Sequence, residues 1–145
     1  MDSSKCHNIL VVDEEVEYAP IIEQILGESF PNISNLFWFV DEGSVVDFLN
    51  TKTSPTISIT LLEVENLNFD GLALLRKLKD DSSPFKIIPI IIFSRIRDLS
   101  VICKSFSLGA NSWVQKPTDL ENFRIVIRAI CEFWLKHTIL PSSVT

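Results

Sequence analysis

Acidic residues follow two short apolar runs of this chain, at the points where the runs end. Asp13, Glu14 and Glu15 come directly after one run, and Glu63 follows another, with Glu65 two positions later. Carboxylates, together with water and backbone oxygens, are the ligands that Mg²⁺ prefers in proteins. The sequence therefore predicts a site for a hard cation if the two runs end at the same edge of a sheet.

Polar residues of complementary chemistry follow two further apolar runs. Ser94 and Arg95 end one of them, and Lys116 ends the other. A hydroxyl, a lysine and a carboxylate-bound cation together can hold a phosphoryl group. Helix capping is the alternative explanation for any single acidic residue, because a carboxylate interacts favourably with the positive start of a helix. The occurrence of polar residues at matching ends of several runs favours a shared site instead.

The apolar runs and the segments between them indicate which elements position these residues. The runs are short and rich in β-branched or aromatic residues, as strands are, and cover residues 7–12, 36–40, 57–62, 87–93 and 112–115. Helical spacing of apolar residues marks the segments 16–27, 42–50, 71–80, 98–108 and 119–136. This alternation predicts a three-layer α/β fold around a parallel sheet, whose ligands bind beyond the carboxyl ends of the strands.

Local signals mark the ends of some of these helices. Gly27 and Gly109 come just after helical segments, where a glycine in the left-handed conformation commonly ends a helix. Thr118 and Glu121 form a capping-box pattern ahead of the last helical segment. We therefore expect that helix to begin after Thr118.

Length and composition limit the classes of protein that fit. The 145 residues suit a single domain, and we expect a core at about 6–137 with a short tail at 138–145. A net charge of −6 disfavours nucleic acid as a partner. The apolar runs are too short to cross a membrane, so we expect a cytoplasmic protein. The spacing of Cys6, Cys103 and Cys131 predicts free thiols rather than a zinc site or disulfides.

The strand-end residues, taken with their neighbours, resemble the CheY-like receiver domain of response regulators. Residues 9–15 resemble its first strand with an acidic pair, residues 70–72 resemble the start of its third helix, and residues 109–117 resemble its stretch ending in lysine and proline. The resemblance implies a flavodoxin-like (βα)5 fold with strand order 2-1-3-4-5. It also implies a non-enzymatic role in two-component phosphorelay signalling, with a histidine kinase or another signalling protein as partner.

The same resemblance assigns roles to individual residues. They are the candidate Mg²⁺ ligands Asp13, Glu14 and the backbone carbonyl of Glu65, the switch residues Ser94 and Trp113, and the phosphate-pocket residue Lys116. Arg95 follows Ser94 directly and is also placed in the phosphate pocket, although it is not part of the family pattern. The bond between Lys116 and Pro117 is implied to be cis. Apart from a possible Mg²⁺, no cofactor is expected.

Glu63 is the main departure from the family pattern, because it takes the place of the phosphoacceptor aspartate. Its carboxylate lies one carbon further into the pocket, whereas phosphoryl transfer requires alignment within a fraction of an ångström. We therefore predict a stand-alone pseudo-receiver that acts by protein–protein interaction. Glu63 would either mimic the charged state or only fill the site, although a carboxylate lacks the charge of about −2 that a phosphoryl group carries.

Arginine at position 95 is a second departure, since receivers usually have a small residue there. Its guanidinium could pair with Glu63 or Glu14, or it could point to solvent. Two alternative functions remain open, a metal-dependent phosphotransfer or phosphohydrolase site and a receiver phosphorylated at a non-standard residue. A flavin site is disfavoured, because no phosphate-binding loop follows the first strand.

The segment 119–136 is apolar almost all round, although packing on a sheet requires only one stripe. Segment 98–108 adds further apolar residues, so we predict an exposed surface formed by helix four, strand five and helix five. Residues 133–141 resemble the end of small single-domain regulators that work with phytochrome-type kinases. That resemblance implies a homodimer formed through this surface.

Overall fold

The computed structural model describes residues 7–30 and 34–143. In this part of the chain the strands are β1 His7–Val12, β2 Ser34–Phe39, β3 Ile59–Leu62, β4 Ile90–Ser94 and β5 Ser112–Gln115. The α-helices are α1 Ala19–Ser29, α2 Glu42–Asn50, α3 Gly71–Lys79, α4 Leu99–Ser107 and α5 Leu120–Cys131. A 3₁₀ turn at Val16–Tyr18 precedes α1, and a π-helix at Glu132–His137 continues α5.

The strands form one parallel sheet in the order β2-β1-β3-β4-β5, which confirms the predicted flavodoxin-like fold. Backbone hydrogen bonds continue past the strand ends and align the residues that follow them. The Glu63 amide donates to the Val12 carbonyl at 3.0 Å, and the Lys116 amide donates to the Ser94 carbonyl at 2.9 Å. The polar residues that follow the strands therefore lie at one edge of the sheet.

Apolar packing on both faces of the sheet explains why the strand sequences are almost continuously apolar. Ile9 and Val11 pack toward α1 and α5, whereas Leu10 and Val12 pack toward α2 and α3. Every residue of β3 and β4 is buried. The edge strand β5 is only half-buried, so part of its surface is open to solvent.

Two of the predicted helix-end signals are wrong, and a third is confirmed. Gly27 lies inside α1 and does not end it, although Gly109 does take a positive φ of 111° after α4, as predicted. The N-cap of α5 is Asp119, whose carboxylate accepts from the Asn122 amide at 2.9 Å, and not Thr118. Asp119, one position after Thr118, therefore caps the helix in place of the predicted capping box.

The C-terminal segment also differs from its prediction. Leu140 is 1% exposed and packs in the same core cluster as Leu135, so the core extends beyond residue 137. The predicted tail at 138–145 is therefore wrong at its start, because an apolar side chain in that segment is buried. Residues 144 and 145 lie outside the described residues.

The two cysteines that the structure describes are free thiols. Cys103 is an exposed free thiol, and Cys131 is a free thiol whose burial raises its pKa to about 12. Cys6 lies outside the described residues. Between residues 7–30 and 34–143, no helix is long and apolar enough to cross a membrane.

Candidate functional site

Lys116 lies at the centre of the candidate site, directly after β5. Its side chain is 1% exposed. Its ammonium nitrogen Nζ lies 2.6 Å from Asp13 Oδ2, 2.9 Å from Glu63 Oε1 and 3.0 Å from Glu15 Oε1. In the described part of the chain, a single lysine thus contacts three carboxylates that follow β1 and β3.

Glu63 is 5% exposed, and both of its carboxylate oxygens have partners. Oε1 accepts from Lys116, and Oε2 accepts from the backbone amide of Glu65 at 3.0 Å. The backbone carbonyl of Glu63 accepts from Asn66 Nδ2 at 2.6 Å. These bonds hold the side chain against the sheet edge and turn the following loop back toward it.

Asp13 connects the carboxylate cluster to β2. Its Oδ1 accepts from the Glu15 amide at 2.8 Å, and its backbone carbonyl accepts from the indole Nε1 of Trp38 at 2.7 Å. The side chain of Asp13 is buried beside Lys116. The backbone after β1 is therefore fixed by contacts on both sides.

The pKa values of Asp13, Glu15 and Lys116 are all shifted within the cluster. Burial raises the pKa of Asp13, the nearby charge of Glu63 adds to this, and Lys116 opposes it. Burial would lower the pKa of Lys116, but the carboxylates of Asp13 and Glu63 outweigh burial and raise that pKa. Burial would raise the pKa of Glu15, but its bonds to Lys116 and Arg95 lower it. The Lys116 ammonium is thus held in its charged form.

Glu14 does not join the cluster. Its carboxylate accepts from the backbone amides of Leu67 and Asn68, the latter at 3.0 Å, and from the Asn68 side chain. The third carboxylate beside Lys116 is instead Glu15, one of the acidic residues after β1 to which the family resemblance assigned no role. Residues 13–15 follow the end of β1 and form a bend, so the alternation of side chains along a strand gave no signal for choosing between Glu14 and Glu15.

The predicted switch residues lie at the border of the cluster. Ser94 is fully buried, and its hydroxyl oxygen accepts from the Ile96 amide at 3.2 Å. Trp113 is half-buried and packs with the core residues on the α2 and α3 side of the sheet. Their role as switch residues stays a prediction. The implied cis bond before Pro117 is wrong, because no peptide bond in the described residues is cis, and trans is the lower-energy form.

Arg95 takes a partner different from those predicted. Its Nη1 lies 2.6 Å from Glu15 Oε1, and its Nη2 donates to the Tyr18 hydroxyl at 2.9 Å. The prediction of a pair with Glu63 or Glu14 is wrong, since Lys116 and the loop amides already bind those carboxylates. Glu15, which stays half-buried at the rim, is the carboxylate that Arg95 reaches.

Oxygens of Asp13, Glu15 and Glu63 lie within 4.8 Å of one another, which is compatible with binding of a divalent cation. The Lys116 ammonium already contacts the same carboxylates, however, so a cation would have to displace it. The fit is therefore poor with Lys116 in this position. The predicted Mg²⁺ ligands Asp13, Glu14 and the carbonyl of Glu65 stay a prediction.

Comparisons with known proteins agree on one family. The family model described as the response regulator receiver domain matches residues 9–128. The response regulator Rcp1 of Synechocystis sp. is 22% identical over 140 residues, which cover 93% of each protein. The transcriptional regulator NtrC of Klebsiella pneumoniae is 27% identical over 124 residues, and these span 85% of this chain but only 24% of NtrC.

Two solved structures have the same fold. The phosphorylated cyanobacterial phytochrome response regulator RcpA superposes with a TM-score of 0.86 and 22% identity, covering 94% of this chain and 99% of RcpA. The Mn(2+)-bound form of Rcp1 gives a TM-score of 0.83 and 22% identity, covering 93% and 99% of the two chains. Both matches show that this chain has the receiver fold.

Proposed function

Because the chain belongs to the response regulator receiver domain family, we propose that it is a pseudo-receiver in which Glu63 no longer accepts a phosphoryl group. The family acts in two-component signalling, is typically non-enzymatic, and interacts with histidine kinases and other signalling proteins. In this proposal the chain signals through contacts with such partner proteins and is not an enzyme. We also propose that it works in the cytoplasm, and that its net charge of −6 makes nucleic acid an unfavourable partner.

The state of the Glu63 carboxylate is the observation that supports this proposal most directly. A phosphoacceptor attacks the phosphodonor with a lone pair of one carboxylate oxygen, in line with the leaving group. In Glu63 one oxygen is bound to the Lys116 ammonium at 2.9 Å and the other to the Glu65 amide at 3.0 Å. The side chain is also 5% exposed, so a donor has little access to it.

We further propose that Glu63 fills the site and does not mimic a phosphoryl group. A phosphoryl group carries a charge of about −2 and has three acceptor oxygens, whereas one carboxylate has a single charge. The Lys116 ammonium that neutralises Glu63 is also shared with Asp13 and Glu15. The cluster thus holds three carboxylates against the two cationic groups of Lys116 and Arg95, and this excess of negative charge disfavours an added phosphoryl group.

Intact-mass measurement after incubation with acetyl phosphate and Mg²⁺ tests the proposal. We expect no stable phosphoryl adduct, because the Glu63 carboxylate is 5% exposed and its two oxygens are held in place by Lys116 and the Glu65 amide. A receiver with an ordinary aspartate acceptor, run in parallel, shows that the donor is active. An adduct that disappears in Glu63→Gln would contradict the proposal, and an adduct retained in that variant would instead support phosphorylation at a non-standard residue.

The partner surface in this proposal is formed by α4, β5 and α5, and we call it the α4–β5–α5 surface. Its large exposed apolar residues include Leu99 and Phe106 of α4, which are 71% and 49% exposed, and Leu120 and Ile125 of α5, which are 49% and 54% exposed. Apolar patches of this kind mark protein interfaces more often than they mark bare surface. We propose that a second copy of the chain covers it.

Sedimentation velocity tests this homodimer. We expect the natural sequence to sediment as a dimer at micromolar concentration, and the double variant Leu99→Ser with Phe106→Ser to raise the dissociation constant by at least about tenfold, since it removes two apolar contacts. Val40→Ser is the matched control, because Val40 is 42% exposed but follows β2, the edge strand on the other side of the sheet from β5. A monomer for the natural sequence would refute this part of the proposal.

A further inference from the structure

Arg95 joins two loops at the carboxyl edge of the sheet. It is the first residue after β4, and its guanidinium reaches the 3₁₀ turn Val16–Tyr18 and the residue before it. One nitrogen binds Glu15 Oε1 at 2.6 Å, and the other donates to the Tyr18 hydroxyl at 2.9 Å. The two bonds come from one planar group, so the orientation of Arg95 is fixed more strongly than a single ion pair would fix it.

Tyr18 anchors this contact in the core. Its ring stacks on Phe123 of α5 with centroids 4.4 Å apart and an angle of 23° between the planes. Phe123 is 1% exposed and lies 5.6 Å from Phe93 of β4. Arg95, which donates to the Tyr18 hydroxyl, is therefore connected through Tyr18 to α5 and to the sheet.

Helix α4 has little anchorage of its own. The structure describes all of its residues, and of these Ser105 alone is buried. Its apolar residues Leu99 and Phe106 are largely exposed, and Val101 and Ile102 are only half-buried. Since most helical stability in proteins comes from packing of an apolar face, the position of α4 depends on the loop that leads into it. That loop begins at Arg95.

A single carboxylate oxygen connects the loop to the cluster around Lys116. Glu15 Oε1 accepts from Arg95 at 2.6 Å and from Lys116 at 3.0 Å. Lys116 in turn binds Glu63 and Asp13. A displacement of any of these groups therefore changes the position of Glu15, and through it the contact that Glu15 makes with Arg95.

We propose that Arg95 is a latch that holds the start of α4 against the turn Val16–Tyr18, and that the carboxylate cluster controls this latch through Glu15. With the latch closed, α4 keeps the position seen here. When Glu15 moves away from Arg95, Arg95 is released and α4 becomes mobile, which changes the α4–β5–α5 surface. The part of this inference that concerns partner binding rests on the proposed function.

Hydrogen exchange followed by mass spectrometry tests the latch without any phosphodonor or partner. In Arg95→Ala we expect the amides of α4 to exchange about tenfold faster than in the natural sequence, an effect within the range of coupled sites. The amides of α3 serve as an internal reference and should not change. Arg97→Ala is the matched control, because Arg97 is an exposed arginine of the same loop. Equal α4 exchange in the two variants would overturn the latch.

Two milder variants test the connection to the cluster and serve if Arg95→Ala does not fold. Tyr18→Phe removes the hydroxyl and keeps the stacked ring, and Glu15→Gln removes the shared charge. Both should speed α4 exchange, although neither residue belongs to α4. An effect of Arg95→Ala with none from Glu15→Gln would show a tether that the cluster does not control, and this would overturn the inference. A phosphoryl adduct on Glu63 would refute the proposed function while leaving these results unchanged.

Discussion

Replacing Lys116 by methionine is expected to lower the free energy of unfolding at pH 7 by about 3–5 kcal/mol, because it leaves buried carboxylates without a counter-charge. The side chain of Lys116 is 1% exposed, and those of Asp13 and Glu63 are 7% and 5% exposed. Methionine retains most of the volume, so the loss reports charge more than packing. Urea denaturation followed by tryptophan fluorescence measures it.

The pH dependence of the Lys116→Met variant separates charge from packing. Without the ammonium, nothing opposes the burial and the neighbouring carboxylate that already raise the pKa of Asp13, so this pKa rises further above that of the unfolded chain. Groups with raised pKa values favour the folded state below their unfolded pKa, and this contribution is lost as pH rises. The deficit should therefore shrink on acidification from pH 7. A deficit that is independent of pH, or one as small as that of the exposed control Lys104→Met, would contradict this account.

The stability of the natural sequence should instead decrease at alkaline pH. Asp13 and Glu63 hold the pKa of Lys116 above its ordinary 10.5, despite the burial that lowers it. A raised lysine pKa contributes stability that is complete below the unfolded value and is lost as pH rises through the folded value. We expect the natural sequence to lose stability above about pH 10.5 more steeply than Lys116→Met, which has no charge left to lose.

Gly71→Ala is expected to destabilise the protein by about 1–3 kcal/mol, because the added methyl group overlaps backbone. A Cβ on Gly71 would lie 2.6 Å from the carbonyl oxygen of Glu63 and 2.6 Å from the Cα of Val64. Neither atom belongs to a flexible side chain, so the loop after β3 must move. The variant should therefore also disturb the position of Glu63 at the end of β3.

Gly27→Ala provides a control of opposite sign. Gly27 lies within α1, and a Cβ there would have no atom within 4 Å. Alanine in a helix interior is more favourable than glycine by about 0.5–1 kcal/mol, so this variant should be more stable than the natural sequence. Thermal unfolding of the two variants in the same buffer compares them directly. Equal stability of Gly71→Ala and the natural sequence would show that the start of α3 can shift freely.

The sequence was sufficient to predict the sheet, because apolar runs of strand length alternate with helical segments throughout the chain. It also predicted that residues after β1, β3 and β5 meet, since parallel strands end at one edge. Asp13, Glu63 and Lys116 do meet. These positions are set by backbone pairing, which the pattern of apolar residues determines.

The identity of the third carboxylate could not be predicted in the same way. Glu14 and Glu15 are adjacent acidic residues, and the choice between them depends on the amides of Leu67 and Asn68, which bind Glu14. Those amides approach only after the loop following β3 has folded. The partner of Arg95 was missed for a similar reason, because a long side chain can reach several carboxylates and selects the one that other groups leave accessible.

The indole of Trp38 donates to the backbone carbonyl of Asp13 at 2.7 Å, so its fluorescence should report changes at the carboxylate cluster without an added label. The chain has three tryptophans, and they lie in different regions, with Trp38 beside the carboxylate cluster, Trp113 in the edge strand and Trp134 in the C-terminal π-helix. Variants that keep only one tryptophan would therefore show, from the emission wavelength, whether a structural change in one region alters the surroundings of a tryptophan in another.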